Sequence, residues 1–352
     1  MYSEFSASRF RRFEDVAIAR LNRVNVITGS NGAGKTSLLE GIFIASGAFS
    51  PELAVRVNAF RGMEGLLVEI GGDAGAVMRS LFRDLDCSEP ARLITKDDDG
   101  TVVSVEISVP KTSPMPMKSG NLTTSDATAS TVNALRLKTK VGNQKAVVSD
   151  LRVSPSGIQV DQPRPARRKA VFLQPRTEAS GKELAARLGR VVVARQEDRL
   201  VSALQTIEPR LTSITSVLEG DQTVLYGDVG KNELVPLWLL GGGINHLAHI
   251  VLAIMEERGR VVLVDEIENG IYHSVLPDMW RVIAHAARES DCQVFATTHS
   301  RECVAAAHQV FSESFDYDLS VMRLEASNGH VDAVQYDRDT LEATIESDFE
   351  VR

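Results

Sequence analysis

The chain has 352 residues, 43% of them hydrophobic, and a formal net charge of −8. That composition supplies a large core, excludes a protein that coats itself with nucleic acid, and contains no apolar run near the ~20 residues of a membrane span. Three cysteines without metal-ligand spacing (Cys87, Cys292, Cys303) and an N-terminus with an early acid and no apolar segment predict reduced thiols, no signal peptide and a cytoplasmic location.

The opening reads as a strand pair that includes the alternating stretch Phe10–Ile18. Val24-Asn25-Val26-Ile27 predicts a strand, and Ser37–Ile44 a helix. Between them Gly29-Ser30-Asn31-Gly32-Ala33-Gly34-Lys35-Thr36 fits G-x-x-x-x-G-K-[ST] at every fixed position. Glycines let the backbone turn tightly, so that several N–H groups aim at one anion, and the helix N-terminus adds its positive dipole. Gly29 through Thr36, with Ser37, are therefore the candidate triphosphate-binding residues. Lys35 is placed to reach the outer phosphates and Thr36 to hold Mg²⁺.

Residues 51–165 read as a β-rich insertion, with strands at 66–70, 91–95, 102–107 and 134–138. Its 109–130 stretch, rich in Pro, Ser, Thr and Lys, is expected to be a disordered loop. From Arg136 to Lys169 nine bases face only Asp150 and Asp161, a strip of about +7. Such a strip suits an anionic partner, DNA included, or is simply a solvated face. A core strand at Lys169–Gln174 follows. Residues 175–258 read as a helical lobe: helix over 182–218, a hairpin at 223–226 and 234–238, and a helix over 244–257. In 259–352, Val261–Val264 and Gln293–Thr297 read as buried parallel strands joined by a helix, then a hairpin turning near 327–329 and a short closing helix.

Four further motifs converge on the phosphate loop. Asp265-Glu266 ends a buried strand at a sheet's carboxyl edge, where ligands sit in open α/β folds. Asp265 is placed to share the metal with Thr36, and Glu266 to polarise the attacking water. His299, ending the next strand, is a candidate for the γ-phosphate or that water. Gly241-Gly242-Gly243 opens a helix and forms a second anion site. One nucleotide does not need two such loops from one subunit, so this loop is expected to cap a partner's nucleotide in a head-to-tail homodimer. Gln174 is either a sensor of the metal and water or an ordinary polar strand end.

This ordered set resembles the ABC-type ATPases of the RecF/SMC/OLD-like branch, over nearly the whole chain. Gly29–Thr36 matches Walker A and Val261–Glu266 Walker B. Leu240–Ile244 sits at the signature loop, Glu268-Asn269-Gly270 at the D-loop and His299 at the switch histidine. The resemblance implies a single α/β P-loop NTPase domain over 1–352, with a mixed sheet, an antiparallel β-rich lobe after the Walker A helix and a helical signature lobe. It implies ATP and Mg²⁺ as cofactors, catalytic roles for Lys35, Glu266 and His299, metal contacts from Thr36, Asp265 and Gln174, and an ATP-dependent homodimer. Stand-alone prokaryotic members are similar to the ATPase part of OLD-type nucleases, and several resemble parts of phage-defence or toxin–antitoxin pairs. That implies a switch acting on a separately encoded effector, with a RecF-like DNA-maintenance ATPase as the alternative. A transporter motor is disfavoured because the transporter D-loop is missing and Gly241 replaces the signature serine. The 53 residues after His299 are too few for the Toprim domain of the OLD nucleases.

Overall fold

The computed structural model describes residues 1–58, 61, 74–110, 133–154, 157–161, 164–174, 181–220, 222–327 and 329–347. The expected strand at 66–70 and all but the first two residues of the expected 109–130 loop lie outside these. Among the described residues the strands form three sheets.

The central sheet has the order β16 (His330–Tyr336), β15 (Leu319–Ser327), β3 (Val24–Gly29), β14 (Gln293–Thr297), β13 (Val261–Val264), β9 (Ala170–Leu173). β15 through β9 run parallel, and β16 closes one edge antiparallel. The continuous apolar runs read in the sequence are explained by burial on both faces. Val262, Val264, Val294 and Ala296 face one core, while Val261, Leu263 and Phe295 face the other. The first core holds the helices Gly242–Met255, Leu276–Glu289 and Arg301–Ser312.

The second core lies between this sheet and a seven-stranded antiparallel one, ordered β2 (Phe13–Ile18), β1 (Tyr2–Phe10), β4 (Ala91–Asp97), β5 (Val102–Ser108), β6 (Asn133–Val141), β7 (Val147–Ser154), β8 (Gly157–Val160). The phosphate-loop helix Lys35–Gly47 runs through it, and twelve of its thirteen residues are buried. A helix apolar all round needs two covering layers, which the two sheets supply. The N-terminal strand pair is thus the start of the β-rich sheet, with β1 paired to β4.

The expectation of helix over 182–218 is corrected at its end. Helices Gly181–Val193 and Glu197–Gln205 form, but Ser213–Glu219 is strand β10, paired antiparallel with β11 (Gln222–Asp228), which also pairs with β12 (Val235–Pro236). Its Ile, Thr and Val residues favour the pleated conformation once β11 supplies a partner. β7 and β8, unread in the sequence, extend the antiparallel sheet. Among the described residues no helix is long and apolar enough to cross a membrane.

Candidate active site

The loop after β3 needs its glycines. Gly29, Gly32 and Gly34 have φ of 134°, 77° and 106°. A Cβ on Gly29 would meet the Leu324 carbonyl at 2.5 Å, and one on Gly34 the Phe13 ring at 2.9 Å. Lys35 is 6% exposed. Its Nζ donates to the carbonyls of Gly29 (2.6 Å) and Ser30 (3.0 Å) and lies 3.3 Å from His299 Nδ1. Burial lowers the Lys35 pKa, while Asp265, Glu266 and Glu268 pull it back up.

The acidic edge is tied to the loop through hydroxyls. Asp265 Oδ2 accepts from Thr36 Oγ1 at 2.9 Å, and Oδ1 accepts from Thr297 Oγ1 at 2.5 Å. The same Thr297 oxygen accepts the Glu266 N–H at 2.8 Å. Glu266 itself is exposed and held at φ 53°, a left-handed conformation that is strained for a residue with a Cβ. Glu268 Oε1 accepts the His299 N–H at 2.9 Å, which fixes the backbone that carries the imidazole.

Asn31, Gly32, Gly34, Lys35, Thr36, Ser37, Asp265, Glu266 and His299 line one cleft of about 850 Å³. Its far wall is basic, with Arg11, Arg12, Arg61 and Arg83. Arg61 donates to both oxygens of Glu40, at 2.6 and 3.0 Å, and Arg11 Nε lies 3.0 Å from the same carboxylate. Glu40 is fully buried on the phosphate-loop helix. Burial pulls the Arg11 pKa down to about 10 against the pull of Glu40, so it remains a cation at neutral pH.

Two predicted groups fall elsewhere. Gly241 and Gly242 are exposed, and neither they nor Gly243 line the cleft. Their loop packs on the D-loop of its own chain, where a Cβ on Gly243 would meet the Gly270 carbonyl at 3.2 Å. His246 Nε2, on the helix they open, lies 3.1 Å from the Ile267 carbonyl, beside the acidic pair. Gln174 also lies outside the cleft lining, one residue beyond Leu173, whose carbonyl accepts the Asp265 N–H at 2.9 Å.

Sequence reasoning missed Thr297 and the Arg11–Glu40–Arg61 cluster, and placed Glu268 at the D-loop without its bond to the His299 N–H. Thr297 stood inside the quoted strand-end motif. Arg11-Arg12 reads as part of the alternating stretch Phe10–Ile18, whereas the structure makes it the turn between β1 and β2.

The donor set fits a hard cation bound with phosphates. A hydroxyl and a carboxylate oxygen meet at Thr36 and Asp265, as Mg²⁺ requires when phosphate oxygens and water complete its shell. The glycine loop and the buried Lys35 beside them fit the phosphates.

A family model described as "AAA domain, putative AbiEii toxin, Type IV TA system" matches residues 24–305. Over 99% of each chain, the protein is 22% identical to an ATP/GTP phosphatase of Helicobacter pylori. A stretch of 37 residues, 10% of each chain, is 54% identical to the DNA replication and repair protein RecF of Idiomarina loihiensis. In structure the chain is similar to the SMC head domain from Thermotoga maritima, with TM-score 0.50, 13% identity and coverage of 96% of this chain and 99% of that one. An SmcHead bound to the C-winged helix domain of ScpA is equally similar, with TM-score 0.50 and 13% identity over 97% and 99%. These structural likenesses establish the fold.

Proposed function

The chain belongs to the AbiEii-type AAA family, within the RecF/SMC/OLD-like branch of ABC-type ATPases, and on that premise we propose that it is a Mg²⁺-dependent ATP hydrolase working as a dimeric switch. One observation carries this reading: the continuous link from Thr36 through Asp265 and Thr297 to the Glu266 N–H. It joins the two residues placed to hold the metal to the backbone that carries the Glu266 carboxylate, in a single hydrogen-bonded unit. Bound Mg²⁺–ATP supplies the transferable phosphoryl group and a counter-charge for its oxygens.

Thr36 and Asp265 hold the metal. Lys35, charged and buried under the loop, binds the β- and γ-phosphates, with the backbone of Gly29–Gly34 and Ser37 around it. Glu266 takes the proton of the attacking water. His299, whose backbone N–H is held by Glu268, lies beside Lys35, where it would meet the γ-phosphate or the attacking water. Gln174, one residue beyond the Leu173 carbonyl that accepts the Asp265 N–H, would sense the metal or the attacking water.

Gly241–Gly243 serve a second copy's nucleotide, a reading supported by the exposure of Gly241 and Gly242 and by the place of all three outside the lining of their own cleft. The switch then acts on a separately encoded effector of a toxin–antitoxin or phage-defence pair in the cytoplasm, as the description of the matching family suggests. The RecF likeness over 37 residues favours DNA maintenance as the second reading. Co-purification separates them: a stoichiometric protein supports the first, bound DNA the second.

The chemical test is Glu266→Gln, which keeps size and leaves Asp265 in place. It binds ATP but releases phosphate at least about a hundredfold more slowly, the scale of a lost general base. Unchanged release would remove Glu266 from the base role and make His299 the first candidate. Running GTP in parallel tests the nucleotide: equal turnover of both would refute ATP preference.

A further inference from the structure

The structure redistributes the basic strip of the sequence. Arg136 pairs with Asp150, Arg152 with Asp161, and Lys138 with Glu106 from a neighbouring strand. Those bases are neutralised. The last three, Arg167, Arg168 and Lys169, meet a distant tight turn, Arg258-Gly259-Arg260, in a pocket of about 590 Å³. Residue 169 leads into β9 and residue 260 into β13, so the pocket opens at the amino edge of the central sheet, opposite the nucleotide cleft.

We propose that this pocket binds a phosphate-rich anion, as a nucleic-acid strand or as a free polyphosphate. Five cations and one carboxylate, Glu257, line it. Counting also Asp97, which holds Arg167 and Arg168, and Glu256, which holds Arg260, two cations remain in excess. Three of the four arginines, Arg167, Arg168 and Arg260, are fixed in advance by these carboxylates. Arg168 is held between Asp97 and the ring of Tyr2, with its guanidinium 5.0 Å from the ring centre, and its backbone N–H donates to Ser46. Among the described residues, the Nε atoms of Arg168 and Arg260 are buried without a hydrogen-bond partner. Arg258 is exposed, and Lys169 reaches over the mouth to Glu257 at 2.8 Å.

Fixed guanidinium forks suit phosphate oxygens, because less side-chain freedom is lost on binding. An acidic protein would offer carboxylates to the same forks, but a protein interface needs apolar anchors. Among the described residues, Ala166 is the one apolar side chain in the lining. The ligand chemistry is therefore phosphate.

The test uses the full chain, a fluorescent single-stranded oligonucleotide, tripolyphosphate and polyglutamate. The variant is Lys169→Glu with Arg258→Glu, two side chains at the pocket mouth and remote from the ATPase cleft. ATP turnover of the variant equal to wild type confirms its fold. Wild type binds the oligonucleotide with an affinity that falls steeply with salt. The variant binds at least about tenfold more weakly, and its salt slope is shallower by about 1.4, two contacts at ~0.7 each for single strands. Tripolyphosphate binding that is lost in the variant, without oligonucleotide binding, supports the free-phosphate source instead. Equal binding by wild type and variant, no binding of either phosphate probe, or preference for polyglutamate overturns the proposal.

Discussion

Two glycine loops open two helices in this molecule, and they end differently. The Gly29–Gly34 loop is closed on its own chain: Lys35 is folded beneath it, Thr36 is bonded to Asp265, and the acidic edge faces it across the cleft. The Gly241–Gly243 loop has no such surroundings. A Cβ on Gly241 would meet nothing within 4 Å, and the described residues bring it no lysine, carboxylate or hydroxyl of the cleft. On the proposed reading the first loop is a finished half of a site, and the second offers the backbone donors of an anion site without the rest. Local sequence makes a phosphate-binding loop, but only the topology decides whether one chain completes it.

The largest expected effect tests whether the second loop completes a site in trans. Gly243→Asp adds a carboxylate where phosphate would approach, and its Cβ presses on the Gly270 carbonyl. It abolishes hydrolysis and leaves ATP binding to the single chain nearly intact. Mixing Gly243→Asp with Lys35→Ala subunits restores part of the turnover, because one composite site stays whole. A mixture as inactive as its components would end the shared-site reading. Lys35→Ala acts on the first loop alone and raises the ATP Kd at least about tenfold by calorimetry, or 1.4 kcal/mol. Equal affinities would mean that the buried ammonium does not meet the phosphates.

A smaller effect separates orientation from binding. Thr297→Val removes the hydroxyl shared by Asp265 and the Glu266 N–H. It lowers kcat about tenfold, the order of 1–2 kcal/mol for such a bond, with KM little changed, and Thr297→Ser restores it. A fall in affinity with no change in kcat would assign Thr297 to binding.

The smallest effect is invisible at neutral pH. His249, on the helix behind the second loop, has its pKa lowered by burial to about 4, with His246 and Arg187 adding to the shift. Between that value and 6.5 the unfolded chain takes up a proton that the folded chain does not. Stability is therefore lost as pH falls through this window. Denaturation midpoints of wild type fall from pH 7 to pH 4.5 by more than those of His249→Asn. Parallel curves would show that the ring is protonated in the folded state.

The first loop was legible in the sequence because strand, turn and helix are contiguous there, and Asp265, Glu266 and His299 were legible as strand ends. The rest depends on partners far along the chain. Residues 213–218 read as the end of a helix until β11 is beside them. Thr297 becomes a positioning group only where β14 lies next to β13. The strip from Arg136 to Lys169 looked uniformly charged because Asp97, Glu106 and Glu257, which divide it, lie outside it. Arg11 and Arg61 meet at Glu40 from separate segments, and no spacing rule joins them.

The position of β3 between β14 and β15 has a consequence for how the chain is made. Val24 pairs with Val294 on one side and Leu319 on the other. During synthesis the phosphate loop therefore emerges long before the strands that hold it, and the central sheet cannot close until almost the whole chain has left the ribosome. Pairings this distant in sequence are slow to form and leave apolar strands uncovered meanwhile. We expect nascent chains stopped before residue 293 to remain sensitive to protease throughout the 24–47 segment, and those extended past 327 to protect it. Early protection would mean that the antiparallel sheet alone shelters the loop.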